Sequence, residues 1–180
     1  AQPHNSGRPF ESWDWAGREM NFNKKPEYHQ SSIELYLKCG LQYEYRYVQG
    51  IKTPPKAALT VGSAVDVGVS YNLEQKITSG VDLKESDVLD IYSTDFDKRA
   101  PETEWDSDEN PGEQKDMGAQ LIALHHKVIA PQIKPATVQE SFVIEGEEYN
   151  LGGVIDLVQT DGVIADTKTA ARKYADDAIG

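Results

Sequence analysis

The stretch Gly152-Gly153-Val154-Ile155-Asp156-Leu157-Val158-Gln159-Thr160-Asp161-Gly162-Val163-Ile164-Ala165-Asp166-Thr167-Lys168-Thr169 decides the reading of this chain. Residues 151–159 and 163–167 are rich in β-formers and flank the turn-forming Thr160-Asp161-Gly162, which predicts two strands of a hairpin. Two aspartates and a lysine interrupt strands that are otherwise apolar. Burying ionised groups costs several kcal/mol unless they are paired or bind a metal. The plain alternative is an edge hairpin whose charges face water. The apolar residues on both sides of each charge weigh against it.

The turn fixes the register. A three-residue Thr160-Asp161-Gly162 loop puts glycine at the left-handed position of a bulged turn. Gln159 then faces Val163, and Asp156 faces Asp166. Opposed residues share a face, as do residues two apart, so Asp156, Asp166 and Lys168 come together. A two-residue Asp161-Gly162 turn would instead send Asp156 to the opposite face. Two carboxylates about 4 Å apart repel by roughly 4 kcal/mol at an effective dielectric near 20. Either one holds a proton or a cation lies between them. Oxygen ligands with room for water suit Mg²⁺ or Mn²⁺. An adjacent ammonium can orient water and oppose charge developing on a phosphate. Together these groups point to phosphodiester hydrolysis.

Upstream of the hairpin, residues 137–144 alternate and predict another strand, and residues 117–129 predict a helix with Met117, Leu121, Leu124 and Val128 as its apolar stripe. Pro131 and Pro135 end that helix. Residues 98–116, acidic and broken by Pro101, Pro111 and Gly112, predict a solvated loop. Helices are expected over 87–96 and 57–77, the latter with Gly62, Ser63 and Ala64 allowing close approach of another backbone. Ser31 with Glu34 reads as a capping box opening a first helix, with Leu35, Leu37, Leu41 and Tyr45 on one stripe. The run of Tyr43, Tyr45 and Tyr47 fits helix or strand. Residues 1–27 read as a flexible tail, and 28–180 as one domain. Helices followed by strands predict an α/β (α+β) fold with a mixed central sheet.

The 180 residues suffice for one core. No apolar run is long enough to span a bilayer, and residues 1–26 lack the apolar segment of a secretory signal, so a cytoplasmic location is expected. The single cysteine, Cys39, can form no internal disulfide. The formal charge is −12, which argues against a polyanionic partner. That charge is concentrated: residues 82–116 hold 13 acidic and 4 basic residues, and the rest is close to balanced. Screening over about 8 Å at physiological salt leaves a distant acidic segment little influence on a local site.

In order and spacing, these segments resemble the RecB-like branch of the PD-(D/E)XK nucleases, which includes helicase-linked recombination nucleases, CRISPR adaptation nucleases and many phage proteins. The likeness covers about residues 30–170. It runs through Ser31-Ser32-Ile33, Tyr36-Leu37-Lys38-Cys39, Tyr43 and Tyr45, then Gly62-Ser63-Ala64-Val65-Asp66 against a Gly-x-x-x-His element. It continues through Gln139-Glu140-Ser141-Phe142, Gly153-Val154-Ile155-Asp156 and Asp166-Thr167-Lys168-Thr169. The resemblance implies a restriction-endonuclease-like core with a β-hairpin active site. It implies that Asp156 and Asp166 bind Mg²⁺ or Mn²⁺, that Lys168 serves the attacking water, and that Glu140 is a carboxylate just outside the metal's ligands. The implied substrate is DNA, at ends or on single strands, in recombination, repair or phage DNA processing, alongside a helicase or recombinase partner in a bacterial or phage-infected cell.

Three departures stand out. Asp66 occupies the histidine position, where it can replace histidine as a hard metal ligand or mark a weakened site. Cys39 matches the first of four cysteines that hold an iron–sulfur cluster in some relatives, and the other three are absent. No cluster is therefore expected, and Cys39 reads as a small buried hydrophobe. The helix with a Gln-x-x-x-Tyr element that follows Lys168 in the family is not present, as in a cut or naturally short version of the core. Adjacent His125 and His126 read as helix-surface residues. The expected function is metal-dependent DNA hydrolysis. The alternative is a weakened or inactive nuclease fold that binds DNA or another macromolecule, and an acidic protein-binding role ranks last.

Overall fold

The computed structural model describes residues 25–169. Most of the expected tail, with Trp13 and Trp15, lies outside the described residues. The described chain forms two compact units, one of residues 25–52 with 143–153 and one of 53–142 with 154–169.

In the first unit, strand β1 (Glu27–His29) pairs in parallel with the start of β3 (Asn150–Gln159), Tyr28 opposite Leu151. Glu27, assigned to the tail from sequence, is therefore in a strand. Helix α1 (Gln30–Lys38) starts one residue before Ser31, with His29 as its N-cap. Ser32 Oγ accepts from the His29 N–H at 3.1 Å and donates to the His29 carbonyl at 2.7 Å. The expected Ser31–Glu34 box does not form, and Glu34 instead accepts from Gln30 Nε2 one turn away at 2.9 Å. The chain breaks at Cys39 (φ −161°) before α2 (Gly40–Tyr43) and a π-helical turn, Glu44–Val48. That break ends the anticipated stripe: Leu37, Leu41 and Tyr45 are exposed. Cys39 is half-buried at the joint, not a core residue. The tyrosines are helical, and Tyr43 makes ring contacts with Tyr36 and Tyr47 at 5.4 and 5.2 Å.

The second unit is built on α3 (Ala57–Ser79), α4 (Glu85–Arg99) and α5 (Pro111–Leu124), which enclose Val61, Ala64, Val65, Val69, Leu73, Val88, Tyr92, Phe96 and Ile122. Ile133 and Leu157 complete this core. The predicted long loop is shorter than expected, because Asn110 and Pro111 start α5. Asn110 Oδ1 accepts from the Gly112 N–H at 2.9 Å, and proline at the first helical position loses no hydrogen bond. The buried face of α5 also differs from the expected stripe. Gly118, Ile122 and His125 turn inward, while Met117, Leu124 and Val128 are exposed. Tyr92 sets this rotation: a Cβ at position 118 would lie 2.0 Å from its hydroxyl.

His125 is therefore buried rather than on the surface, and burial depresses its pKa. Its Nε2 has no hydrogen-bond partner among the described residues. His126 Nε2 lies 2.8 Å from the Leu83 carbonyl.

Strand β2 (Pro135–Glu145) neighbours β3, which also pairs antiparallel with β4 (Ile164–Ala165), so the sheet is mixed. Helices before a mixed sheet give the expected α/β class. Among the described residues, no helix is long and apolar enough to cross a membrane.

Candidate active site

The hairpin forms in the register that its turn dictates. Leu157 pairs with Ala165 and Val158 with Ile164. Gly162 has φ +86°, its N–H donates to the Gln159 carbonyl at 2.9 Å, and the Gln159 N–H donates to the Val163 carbonyl at 2.8 Å. The three-residue turn is thus the one present. Leu157 is buried in the core with Ala165 packed against it. Strand alternation sends Asp156, and Asp166 just beyond β4, to the other side of the ribbon.

The two carboxyl groups hydrogen-bond to each other. Asp156 is half-buried, and its pKa is pushed up to about 6. Desolvation is the largest cause, followed by the hydrogen bond to Asp166 and that group's charge. The Thr167 N–H, 3.4 Å from Asp156 Oδ2, opposes the rise. The hydrogen bond from Asp156, reinforced by Lys168, holds Asp166 below the ordinary aspartate range. Lys168 Nζ lies 2.8 Å from Asp166 Oδ1, with both side chains more than half exposed. The two groups titrate together, and burial with their mutual repulsion makes the pair hold on to one proton above the ordinary aspartate range.

The third acid comes from α3. Gly62, Asp66 and Ser70 are four residues apart and lie along one helical face, while Val61, Ala64, Val65, Val69 and Leu73 enter the core. Asp66 is half-buried. Desolvation raises its pKa most, with Asp166 adding to the rise, while Lys168, the Ser70 hydroxyl and Arg99 oppose it. Asp66 is thus within electrostatic reach of Asp166 and Lys168. At position 62, a Cβ would lie 2.9 Å from Thr169 Oγ1, so the small residue accommodates the segment carrying Lys168.

Glu140 is exposed, and the side-chain hydrogen bonds among the described residues do not include it with this group. The neighbouring Gln139 reaches α3 instead: its Nε2 lies 3.4 Å from each Asp66 carboxylate oxygen and 3.2 Å from Ser70 Oγ. Sequence reading overlooked Gln139. Its only signal is a backbone at φ +53°, which the residue type does not announce.

A hard divalent cation fits the chemistry of the donors. A cation can take the place of the proton that Asp156 and Asp166 share. Mg²⁺ commonly takes one or two protein carboxylates and fills its remaining positions with water and phosphate oxygens. Among the described residues, no group of three or more His, Cys, Asp or Glu side chains converges closely enough to hold an ion. Two carboxylates thus form the converged set, with Asp66 beside them.

Two concavities among the described residues of this unit lie elsewhere. One of about 420 Å³ is lined by Val67, Asp90, Ile91, Thr94, Asp95 and Lys98, and one of about 140 Å³ includes Leu59, Ser63 and Arg99. Neither is lined by the acid pair. A half-buried acid with an exposed partner is open on that side to a polymer backbone, whereas an enclosed pocket suits a small molecule.

Neither the curated proteins nor the solved structures give a match. A family model of the PD-(D/E)XK nuclease superfamily matches residues 29–179, a span containing α1, α3, the hairpin and all the acids described above. The chain belongs to the PD-(D/E)XK nuclease superfamily, whose members are generally metal-dependent nucleases.

Proposed function

We propose that this chain is a Mg²⁺- or Mn²⁺-dependent deoxyribonuclease of the RecB-like branch, hydrolysing DNA phosphodiesters at ends or on single strands. The observation that carries the reading is the hydrogen-bonded Asp156–Asp166 pair with the Lys168 ammonium 2.8 Å from Asp166. In this reading Asp156 and Asp166 hold the ion, and Asp66 is the third hard ligand in place of the family's histidine. When bound, the ion supplies positive charge against the phosphodiester and makes water more acidic. Asp156 must release its proton to act as a ligand. Lys168 orients the attacking water and opposes charge developing on phosphate oxygen. Its exposure keeps the ammonium within reach of solvent and substrate. Recombination, repair or phage DNA processing, with a helicase or recombinase partner, is the setting suggested by the family resemblance.

The test is cleavage of end-labelled single- and double-stranded DNA with Mg²⁺ or Mn²⁺, comparing the unaltered chain with Asp166→Ala and Lys168→Ala. Loss of cleavage in both variants is expected. Equal cleavage by all three proteins would remove this mechanism. A noncatalytic DNA-binding module is the second reading, favoured by the absence of a converged three-ligand set among the described residues. Calorimetric titration with Mn²⁺ separates the two: binding that disappears in Asp156→Ala supports the nuclease, and no binding by the unaltered chain supports the module.

A further inference from the structure

We infer that Gln139 is a positioning residue that sets the Asp66 carboxylate for the ion, an inference resting on the metal-dependent reading above. Gln139 is the one non-glycine residue with positive φ among the described residues, at +53° within β2. Glutamine gains nothing from this left-handed conformation, which side chains other than Asn and Asp seldom adopt. Such strain persists where the surroundings impose it, and it concentrates at functional sites.

The side chain supplies a second, independent observation. One amide nitrogen faces both oxygens of Asp66 at 3.4 Å and the Ser70 hydroxyl at 3.2 Å. Ser70, one turn along α3, also acts on Asp66, its hydroxyl favouring the charged carboxylate. The carboxylate is thus gripped from its own helix and from β2. A neutral amide fixes a carboxylate's orientation while leaving its charge available to a cation. Lysine or arginine in the same place would compete with that cation. Glu140 makes no such bond to Asp66, so the role belongs to the residue before it.

A purely structural tie between β2 and α3 makes a different prediction from a positioning role, and Gln139→Gly separates them. Glycine adopts positive φ without steric cost but carries no amide. The full chain is compared with Gln139→Gly, Gln139→Leu and Glu140→Gln by thermal melting without metal and by Mg²⁺ titration calorimetry. Gln139→Gly is expected to melt at about the same temperature as the unaltered chain, yet bind Mg²⁺ about 10–100-fold more weakly, the usual effect of removing a partner that orients a ligand. Gln139→Leu should weaken Mg²⁺ binding similarly while also melting lower, because it keeps the strain and loses the bonds. Asp66→Ala should weaken binding too, and adding Gln139→Gly to it should cause no further loss. Unchanged Mg²⁺ affinity in Gln139→Gly overturns the inference, as does a larger effect from Glu140→Gln. If the unaltered chain binds no Mg²⁺, the metal-dependent reading and this inference both fall. If it binds normally and Gln139→Gly matches it, only the inference falls.

Discussion

Asp156 and Asp166 sit opposite each other across the hairpin and share a hydrogen bond that raises the pKa of one and lowers that of the other. This asymmetry has consequences for pH dependence. Without metal, Asp156 holds its proton up to about pH 6, whereas an ordinary aspartate releases it near 3.8. Below about 3.8 both folded and unfolded chains carry the proton. Between about 3.8 and 6 only the folded chain does, so stability falls as pH rises through that window and levels off above it. Asp166 acts below 3.8, where its depressed pKa makes stability fall with acidification, so the two windows do not overlap. Metal-free melts at pH 4.5 and 6.5 should show the decline relative to Asp156→Asn, which lacks it. An identical pH response in that variant would contradict the shared proton. Mg²⁺ should displace the proton, so calorimetry in buffers of different ionisation enthalpy should detect proton release at pH 5.5.

The Lys168–Asp166 ion pair predicts a separation of stability from activity. Both partners are more than half exposed. Pairs of this kind contribute about 0–1 kcal/mol. Lys168→Ala should therefore melt close to the unaltered chain while losing cleavage by about 100-fold or more, the scale of a positioned group acting on water. Urea melts and single-turnover cleavage rates measure the two quantities. A large stability loss with normal cleavage would assign Lys168 to the fold alone.

Replacing Asp66 with histidine gives the residue type that the RecB-like resemblance implies at that position. If Asp66 is a ligand, Asp66→His should move metal preference from Mg²⁺ towards Mn²⁺, because imidazole suits transition metals better than Mg²⁺. The ratio of cleavage rates in the two ions reads this directly. An unchanged ratio would place Asp66 outside the metal's ligands.

Gly118 offers a test of packing away from the site. A Cβ there would approach Tyr92 Oη to 2.0 Å, and Tyr92 is buried and donates to the Lys115 carbonyl at 2.8 Å. The ring has little freedom to withdraw. Gly118→Ala should cost about 1–3 kcal/mol of stability by overpacking. Tyr92→Phe combined with Gly118→Ala should cost less than the sum of the single changes, because removal of the hydroxyl relieves the closest contact. Strict additivity in urea melts would argue against that contact.

The sequence exposed the hairpin well because its register depends on three adjacent turn residues. Gly162 meets the demand for positive φ, and the pairing of Gln159 with Val163 then brings Asp156 to Asp166. Chemistry set by such local geometry is readable in one dimension. The inward face of α5 was not, because Leu124 and His125 both fit an amphipathic pattern and only the incoming Tyr92 ring selects between rotations. The start of α5 was in principle legible from Asn110-Pro111, but the surrounding acidity concealed it. The contacts of Gln139 could not be found because they depend on an unusual backbone angle and on a helix about 70 residues earlier. The hairpin and the α3 acid both lie in the second unit, yet no sequence pattern shows how closely their carboxylates approach.

Strand β4 has only two residues, with Asp166 directly after it and Lys168 two residues further on. Leu157 and α3, by contrast, are embedded in the core. A short strand, paired on one side only, opens locally at lower free energy than the packed centre of a domain. Warming should therefore peel the acid and the ammonium away from Asp156 while the helices still hold. Under the proposed function, cleavage would fade before the cooperative melt, and restraining that ribbon end would extend the working temperature without adding to global stability.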